Sequence, residues 1–334
     1  MFRNQTIAML SGFCLSLAAC DNPTRELTAP EPERAAVDTR SGSLLAPSNT
    51  WTHKRPMPRA RFDHEAGVVN DVIYVVGGRT FFRKFNKVDA YNVSTNTWST
   101  VQSLPNIRIN LNGVSTIGGK LYVAGGLNAN NVEVRTLFVY NPRTNTWTRK
   151  ADMPAGGGCG GQGVIGGELY VYVGSECGSG AGHLYRYTPG TDRWTTLASP
   201  SGEHVFPEGA AVAGKFYLVG NRGGPGSGNQ LEVYNPATNS WTTKAPMPQP
   251  SGQVMASAVL NGKFYVAGGV VRASGAPQAT LRVYDPVTNT WTTKAPMPNP
   301  RSWSAGAAAG GMVFVLGGLN ASETVLATVI AYTP

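Results

Sequence analysis

The sequence predicts an all-β fold of six four-stranded sheets closed into a ring, and three observations predict it. From residue 48 onward one wording recurs six times, with 47 to 50 residues between successive tryptophans. Each copy alternates apolar residues and breaks at Gly or Pro. With 41 Gly, 23 Pro and 14% charged residues, the chain has no long run of helix formers. The sixth copy stops in mid-phrase at "AYTP", residues 331–334, and its missing end, "SNTW", stands at residues 48–51.

Each element of the unit has a local cause. "GKLYVAGG" and "GKFYVAGG" read as a buried strand ending at a turn that needs positive φ or a close backbone approach. The small pairs are Gly77-Gly78, Gly125-Gly126, Gly174-Ser175, Gly220-Asn221, Gly268-Gly269 and Gly317-Gly318. A stretch of variable length follows, and then Tyr91, Tyr140, Tyr187, Tyr234, Tyr284 and Tyr332. In the five uninterrupted copies a Trp comes seven residues after the Tyr, as in "YNPATNSW". That spacing predicts two strands joined by a tight turn: Pro presets φ, Asn tolerates left-handed geometry, and a one-residue slip would turn every side chain to the other face. "KAPMP" then ends the outer strand, because Pro cannot donate to a ladder.

Four strands of such a unit cannot bury both faces alone, whereas a ring of units can, with Trp and Tyr filling the space between sheets. An open ring would expose two strand edges. The strand around Trp51 is therefore expected to pair with the C-terminal strands and complete the last sheet.

The Gly pair after a hydrophobic strand, followed by Tyr and Trp at fixed spacing, closely resembles the kelch repeat. The resemblance implies a six-bladed kelch-type β-propeller over residues 48–334, one blade per unit. Ser175 and Asn221 depart from the second Gly of the pattern and are expected to alter the turn without threatening the fold.

The N-terminus reads as an address. Residues 1–19 have the outline of a signal peptide, and "LAAC" at 17–20 resembles the lipobox of bacterial lipoproteins. The resemblance implies a lipid on Cys20 and a place in the bacterial cell envelope, periplasmic or at the cell surface; the alternative is ordinary cleavage after Ala18. Residues 20–47, rich in Pro, Thr, Glu and Arg and without aromatics, read as a flexible tether.

The formal charge of +9 is uneven: residues 48–334 carry +10. A basic body favours anionic partners, but without dense Lys/Arg clusters the expectation is a protein, peptide or acidic glycan and no nucleic acid. A monomer without cofactor or metal is expected. Arg61, Arg108 and Arg301 stand at the starts of inner strands, where kelch repeats commonly carry an Arg, with His204 at the same place in the fourth unit. Arg222 and Arg272 join them from the loops after the small pairs, together with Arg79, Arg83 and Lys84. These arginines are candidate ligands for a carboxylate or phosphate at one mouth, the alternative being pairing with carbonyls or water. "RTFFRKFNK" (79–87) is either a contact for a partner or an anionic lipid surface, or a loop whose Phe pack beneath it.

Catalytic signals are thin. Glu203, His204 and Glu208 are weak candidates for a general base, and similarity to the periplasmic kelch mutarotase of sialic acid offers an acidic sugar as the alternative target. The copper set of galactose oxidase cannot be assembled from the four His, and the Asp-box of sialidases is absent. Cys159 and Cys177 fall at neighbouring strand ends, within reach of a disulfide or left as two thiols; a bridge would contribute on the order of 3 kcal/mol.

Overall fold

A computed structural model of the chain describes residues 48–174, 182–201, 204–222, 229–248, 255–271 and 274–334, and of residues 205, 221 and 222 the backbone alone. These residues form six four-stranded antiparallel sheets, the blades of a propeller. The inner strands are Phe62–Val69, Val114–Ile117, Gly161–Ile165, His204–Val212, Ala256–Leu260 and Ala305–Ala309 for blades 1 to 6. The outer strands are Thr97–Val101, Thr146–Lys150, Arg193–Thr196, Ser240–Lys244, Thr290–Lys294 and, for blade 6, Thr50–Lys54 from the N-terminal end. Each inner strand packs against the next all the way round, blade 6 against blade 1 included.

The ring closes where the sequence ends predict. Thr50–Lys54 pairs antiparallel with Val329–Thr333, and Trp51 lies opposite Tyr332. In every other blade the same Tyr and Trp face each other across the outer hairpin, as Tyr91 and Trp98 do. The turn between them is a clamp on the neighbouring blade. Asn96, at φ 53°, accepts from Tyr91 Oη at 2.7 Å and from the Arg55 amide at 2.9 Å, while Trp98 Nε1 donates to the Arg55 carbonyl at 2.9 Å. At the closure Asn49 (φ 57°) accepts from Tyr332 Oη and from the Ala295 amide, both at 2.9 Å, and Trp51 Nε1 reaches the Ala295 carbonyl at 2.8 Å. An Asn, or Asp192 in blade 3, in the same left-handed conformation thus ties each outer hairpin to its neighbouring blade right around the ring.

The core lies between blades. One cluster joins Tyr91, Ile73 and Val75 of blade 1 to Phe314, Leu316 and Ala307 of blade 6. The small pairs permit this approach. Gly77 sits at φ 67°, and a Cβ there would lie 2.3 Å from the Arg108 carbonyl oxygen. In blade 3 Gly174 is not in the positive-φ region, whereas its counterparts Gly77, Gly125, Gly220, Gly268 and Gly317 are; Ser175 lies outside the described residues.

Candidate functional site

The starts of the inner strands and, among the described residues, the loops after the small pairs lie on one face, hereafter the loop face. There the structure corrects the sequence expectation. Arg61, Arg108, Arg301 and His204 are not ligands waiting at a mouth; all four are buried inside their own blades. Arg61 pairs with Asp89 on the third strand of blade 1 and donates to the Gly77 carbonyl at 3.0 Å. Arg108 Nη2 donates to Thr136 Oγ1 at 2.6 Å, and Arg301 Nη1 to Thr328 Oγ1 at 3.0 Å. Burial lowers the pKa of all three guanidinium groups, that of Arg301 to about 10. His204 replaces the arginine in blade 4, with Nε2 2.6 Å from Glu232 Oε2. Burial opposes the Glu232 charge, but hydrogen bonds from His204 and Ser201 hold its carboxyl below the usual range. Each polar group is tied to its own blade's third strand, or to the residue just before it, so the position is a staple within the blade.

The candidate base set is split. His204 faces Glu232, while a register shift between Val205 and Glu208 carries Glu208 onward to the central channel. Glu203, Arg272, Cys20 and Cys177 lie outside the described residues, as do the side chain of Arg222 and the 1–19 and 20–47 segments, save that Arg222 ends a strand opposite His204. Cys159 is buried at φ 55° beside the channel.

Two residues beyond each staple the backbone turns left-handed, at Asp63, Asn110, Phe206 and Trp303, as it does at Cys159 in blade 3. These residues form a narrow neck of ≈ 30 Å³ on the loop face, where the rings of Phe206 and Trp303 meet edge-on at 5.5 Å. Asp63 is held by Arg79 at 2.5 Å and, with the Asn110 amide turned to donate, at 2.9 Å from its nitrogen. Burial, resisted by Arg79, raises the Asp63 pKa to about 6. His64 is buried beside it, and burial and then the Arg61 charge lower its pKa to about 3, so the ring is neutral.

Below the neck the channel widens to ≈ 450 Å³ between the inner strands. Glu65 of blade 1 and Glu208 of blade 4 line both neck and vestibule. Ser257 donates to Glu208 Oε2 at 2.7 Å. Burial pushes the Glu65 carboxyl up to about 8 and Glu208 well above its ordinary value, each raised further by a neighbouring acid, Asp63 for Glu65 and Glu65 for Glu208. Glu65 was missed in the sequence. Its signal was there: "EAG" and "EGA" place an acid where other inner strands read "GQG", "ASA" or "AGA".

The loop 79–87 divides between the two readings the sequence offered: Phe85 packs beneath it, while Phe81, beside the Phe62 ring, is 54% exposed and Phe82 fully exposed. A local turn fixes this display: Thr80 Oγ1 accepts from the amides of Phe82 (3.3 Å) and Arg83 (3.0 Å), and the Phe85 amide donates back to Gly78 O at 2.8 Å. Lys84 Nζ bridges to the next blade's loop through Ala129 O and Asn131 Oδ1, both 2.7 Å. Arg83 stays exposed beside the Phe85 ring.

Comparison with known proteins decides the family. The KLHDC2/KLHL20/DRC7 Kelch-repeats domain matches residues 36–210 and 116–318. The chain belongs to the kelch-repeat family. Among curated proteins, this kelch chain is similar to Kelch-like protein terF of Aspergillus terreus, 31% identical over 144 residues, covering 40% of this chain and 31% of that protein. Kelch repeat protein M-T8 of Myxoma virus is 30% identical over 115 residues, 34% of this chain and 21% of that protein. Alpha-scruin of Limulus polyphemus is 32% identical over 120 residues, 34% of this chain and 13% of that protein. The kelch chain thus spans less than a third of the length of each of these relatives. The solved structure of YjhT superposes with a TM-score of 0.70 at 15% identity, covering 84% of this chain and 97% of that one, a likeness of fold.

Proposed function

We propose that this chain is a lipid-anchored, extracytoplasmic binding module of a bacterial cell envelope whose partner is a protein with acidic residues around an apolar socket. One observation carries the reading: Phe82 is fully exposed in a turn that hydrogen bonds hold in place. Burying such a ring is worth roughly 1.5–3 kcal/mol, which a free surface forgoes and a partner's socket recovers. The exposed Arg83 beside it and the +10 charge of residues 48–334 support acidic residues around that socket. The anchor rests on "LAAC" and the tether reading of residues 20–47. A Cys159–Cys177 bridge belongs to the same oxidising compartment and is supported by the disulfide state of Cys159.

Selection of displayed peptides on the purified full chain tests the reading. Peptides combining Asp or Glu with an aromatic or Leu are expected, and Phe82→Ser should weaken them at least tenfold. Peptides that bind the variant equally well would overturn the reading, as would preference for phosphatidylglycerol vesicles over any peptide. Labelled palmitate should enter the chain in a bacterial host and be lost in Cys20→Ser. The second reading, action on an acidic sugar, has the channel position of Glu208 in its favour. Against it, no Arg or Lys lines the vestibule among the described residues, so an acidic sugar would meet two carboxyl groups with no cation.

A further inference from the structure

The channel carries an inference that goes beyond the partner-binding loop. We propose that the vestibule between the inner strands binds a small amphipathic amine, its ammonium group seated among Glu65, Glu208, Asn112 and Gln162 and its alkyl body lying along a collar of valines. Three observations meet here. The first is a set of acceptors with unmet capacity. Asn112 Nδ2 donates to Ala124 O at 3.3 Å and Gly157 O at 3.1 Å, which fixes the amide and leaves Oδ1 without a partner. That oxygen lies by Gly160 of the channel wall, 2.7 Å from where a Cβ would stand. Gln162 Nε2 donates to Tyr122 O at 2.9 Å and leaves Oε1 without a partner in the same way. Both side chains line the vestibule and are more than nine-tenths buried. Both oxygens are covered within the vestibule wall, and a buried acceptor left unpaired costs about 1–3 kcal/mol, so a small rotation of either side chain toward a donor in the cavity would be favourable.

The second observation is charge. The two glutamates face the same cavity, and no Lys or Arg among the described residues lines it. The surrounding titratable groups supply no cation either: Asp63 is taken by Arg79, His64 is held neutral, and His204 is turned to Glu232 inside its blade. Burial raises both glutamates, so without a cation beside them they hold their protons more tightly than an exposed carboxyl would, a role a bound cation could take over.

The third is the order of residues along the strands. The acceptors sit toward the neck; Val68, Val114, Val164 and Val259 line the vestibule with them, and Gly67, Gly161 and Gly209 keep the wall thin. A hydrated metal ion would make no use of such a collar, and among the described residues no three or more His, Cys, Asp and Glu side chains are grouped to hold one. An ammonium donates three hydrogen bonds, and its alkyl chain removes apolar wall from water. A cavity of ≈ 450 Å³ is of a size that suits a small molecule.

Isothermal titration of the purified full chain with n-hexylamine at pH 8 tests this, with n-hexanol, hexanoate and calcium chloride as separate titrants. Hexylamine is expected to bind with a sub-millimolar Kd and to release protons as the glutamates ionise, seen as an enthalpy that changes with the buffer's own ionisation heat. Glu208→Gln should weaken binding at least tenfold and reduce the proton release, while Phe82→Ser should change neither. Should Glu208→Gln not fold, Glu65→Gln carries the same test. Equal binding of hexanol, or binding of calcium without hexylamine, would overturn the proposal, as would undiminished binding by the Gln variants. Because Phe82 and the channel are probed separately, loss of one reading leaves the other standing.

Discussion

At the scale of single residues, the same strand start serves two opposite ends. The guanidinium of Arg61 turns into the blade to meet Asp89, while Glu65, four residues later, faces the channel. Truncating Arg61 to Ala leaves the Asp89 carboxylate buried with only Arg59 and the Thr100 hydroxyl still bound to it; breaking a buried pair typically costs about 3–5 kcal/mol. Urea unfolding should show a loss of that order, and selected peptides should bind the folded fraction unchanged, because the side chain reaches no surface. Unchanged stability would mean that Arg61 is not a staple. The glutamates behave in the opposite sense with pH. A carboxyl whose folded pKa is raised binds its proton more tightly in the native state. The stability it contributes is present below the ordinary Glu range and is lost as pH climbs through that range toward about 8 for Glu65. The melting temperature should therefore fall between pH 5 and 9, and Glu65→Gln should flatten that fall and raise Tm at pH 9. A profile identical in wild type and variant would show that the raised pKa is not realised.

At the scale of elements, the outer hairpin is the unit of assembly, and it was the part most legible in the sequence. Tyr, Asn and Trp lie within eight residues of chain, so their spacing records the hairpin register directly. The clamp itself was not read, because its other half, such as the Arg55 or Gln102 carbonyl, is more than forty residues away. The direction of the arginines was hidden for a related reason. It depends on a partner near a distant strand, Asp89, Thr136 or Thr328, and on a left-handed residue two positions on, whether Asp63, Asn110 or Trp303, types too varied to announce themselves. For Phe82 the sequence left both readings open, because aromatic character alone says "inside" and only the Thr80 turn, a local hydrogen-bond pattern, turns it out. The clamp predicts a small, specific cost. Trp147→Phe keeps an aromatic ring against Tyr140 but removes the 2.9 Å bond to the Gln102 carbonyl, which should destabilise by about 1 kcal/mol. Gly125→Ala is the harsher change: at φ 68° its Cβ would fall 2.3 Å from the Gly157 carbonyl oxygen, so thermal denaturation should show a larger drop than in Trp147→Phe. The reverse order would mean that the small pairs are not under steric demand.

At the scale of the whole molecule, closure governs stability, because every blade has two neighbours only if the sixth is complete. The N-terminal strand gives blade 6 its outer edge, and Asn49 and Trp51 also fasten blade 6 to blade 5 through Ala295. Removing residues 48–56 takes away three things together: the ladder to Val329–Thr333, the aromatic contact of Trp51 with Tyr332 at 5.3 Å, and the clamp on Ala295. The strand Val329–Thr333 then becomes a bare edge beside an open core, the arrangement that invites strand addition between molecules. The shortened chain should melt well below the parent and should aggregate during size-exclusion chromatography. A second chain separates loss of closure from loss of residues. If residues 48–56 are moved from the front and joined by a short Gly-Ser linker after Pro334, the same strand can pair within its own sheet as an ordinary hairpin. That permuted chain should recover the parental elution volume and most of the parental Tm. If the deleted chain stays monomeric and melts with the parent, or if the permuted chain fares no better than the deleted one, the two chain ends do not hold the ring together.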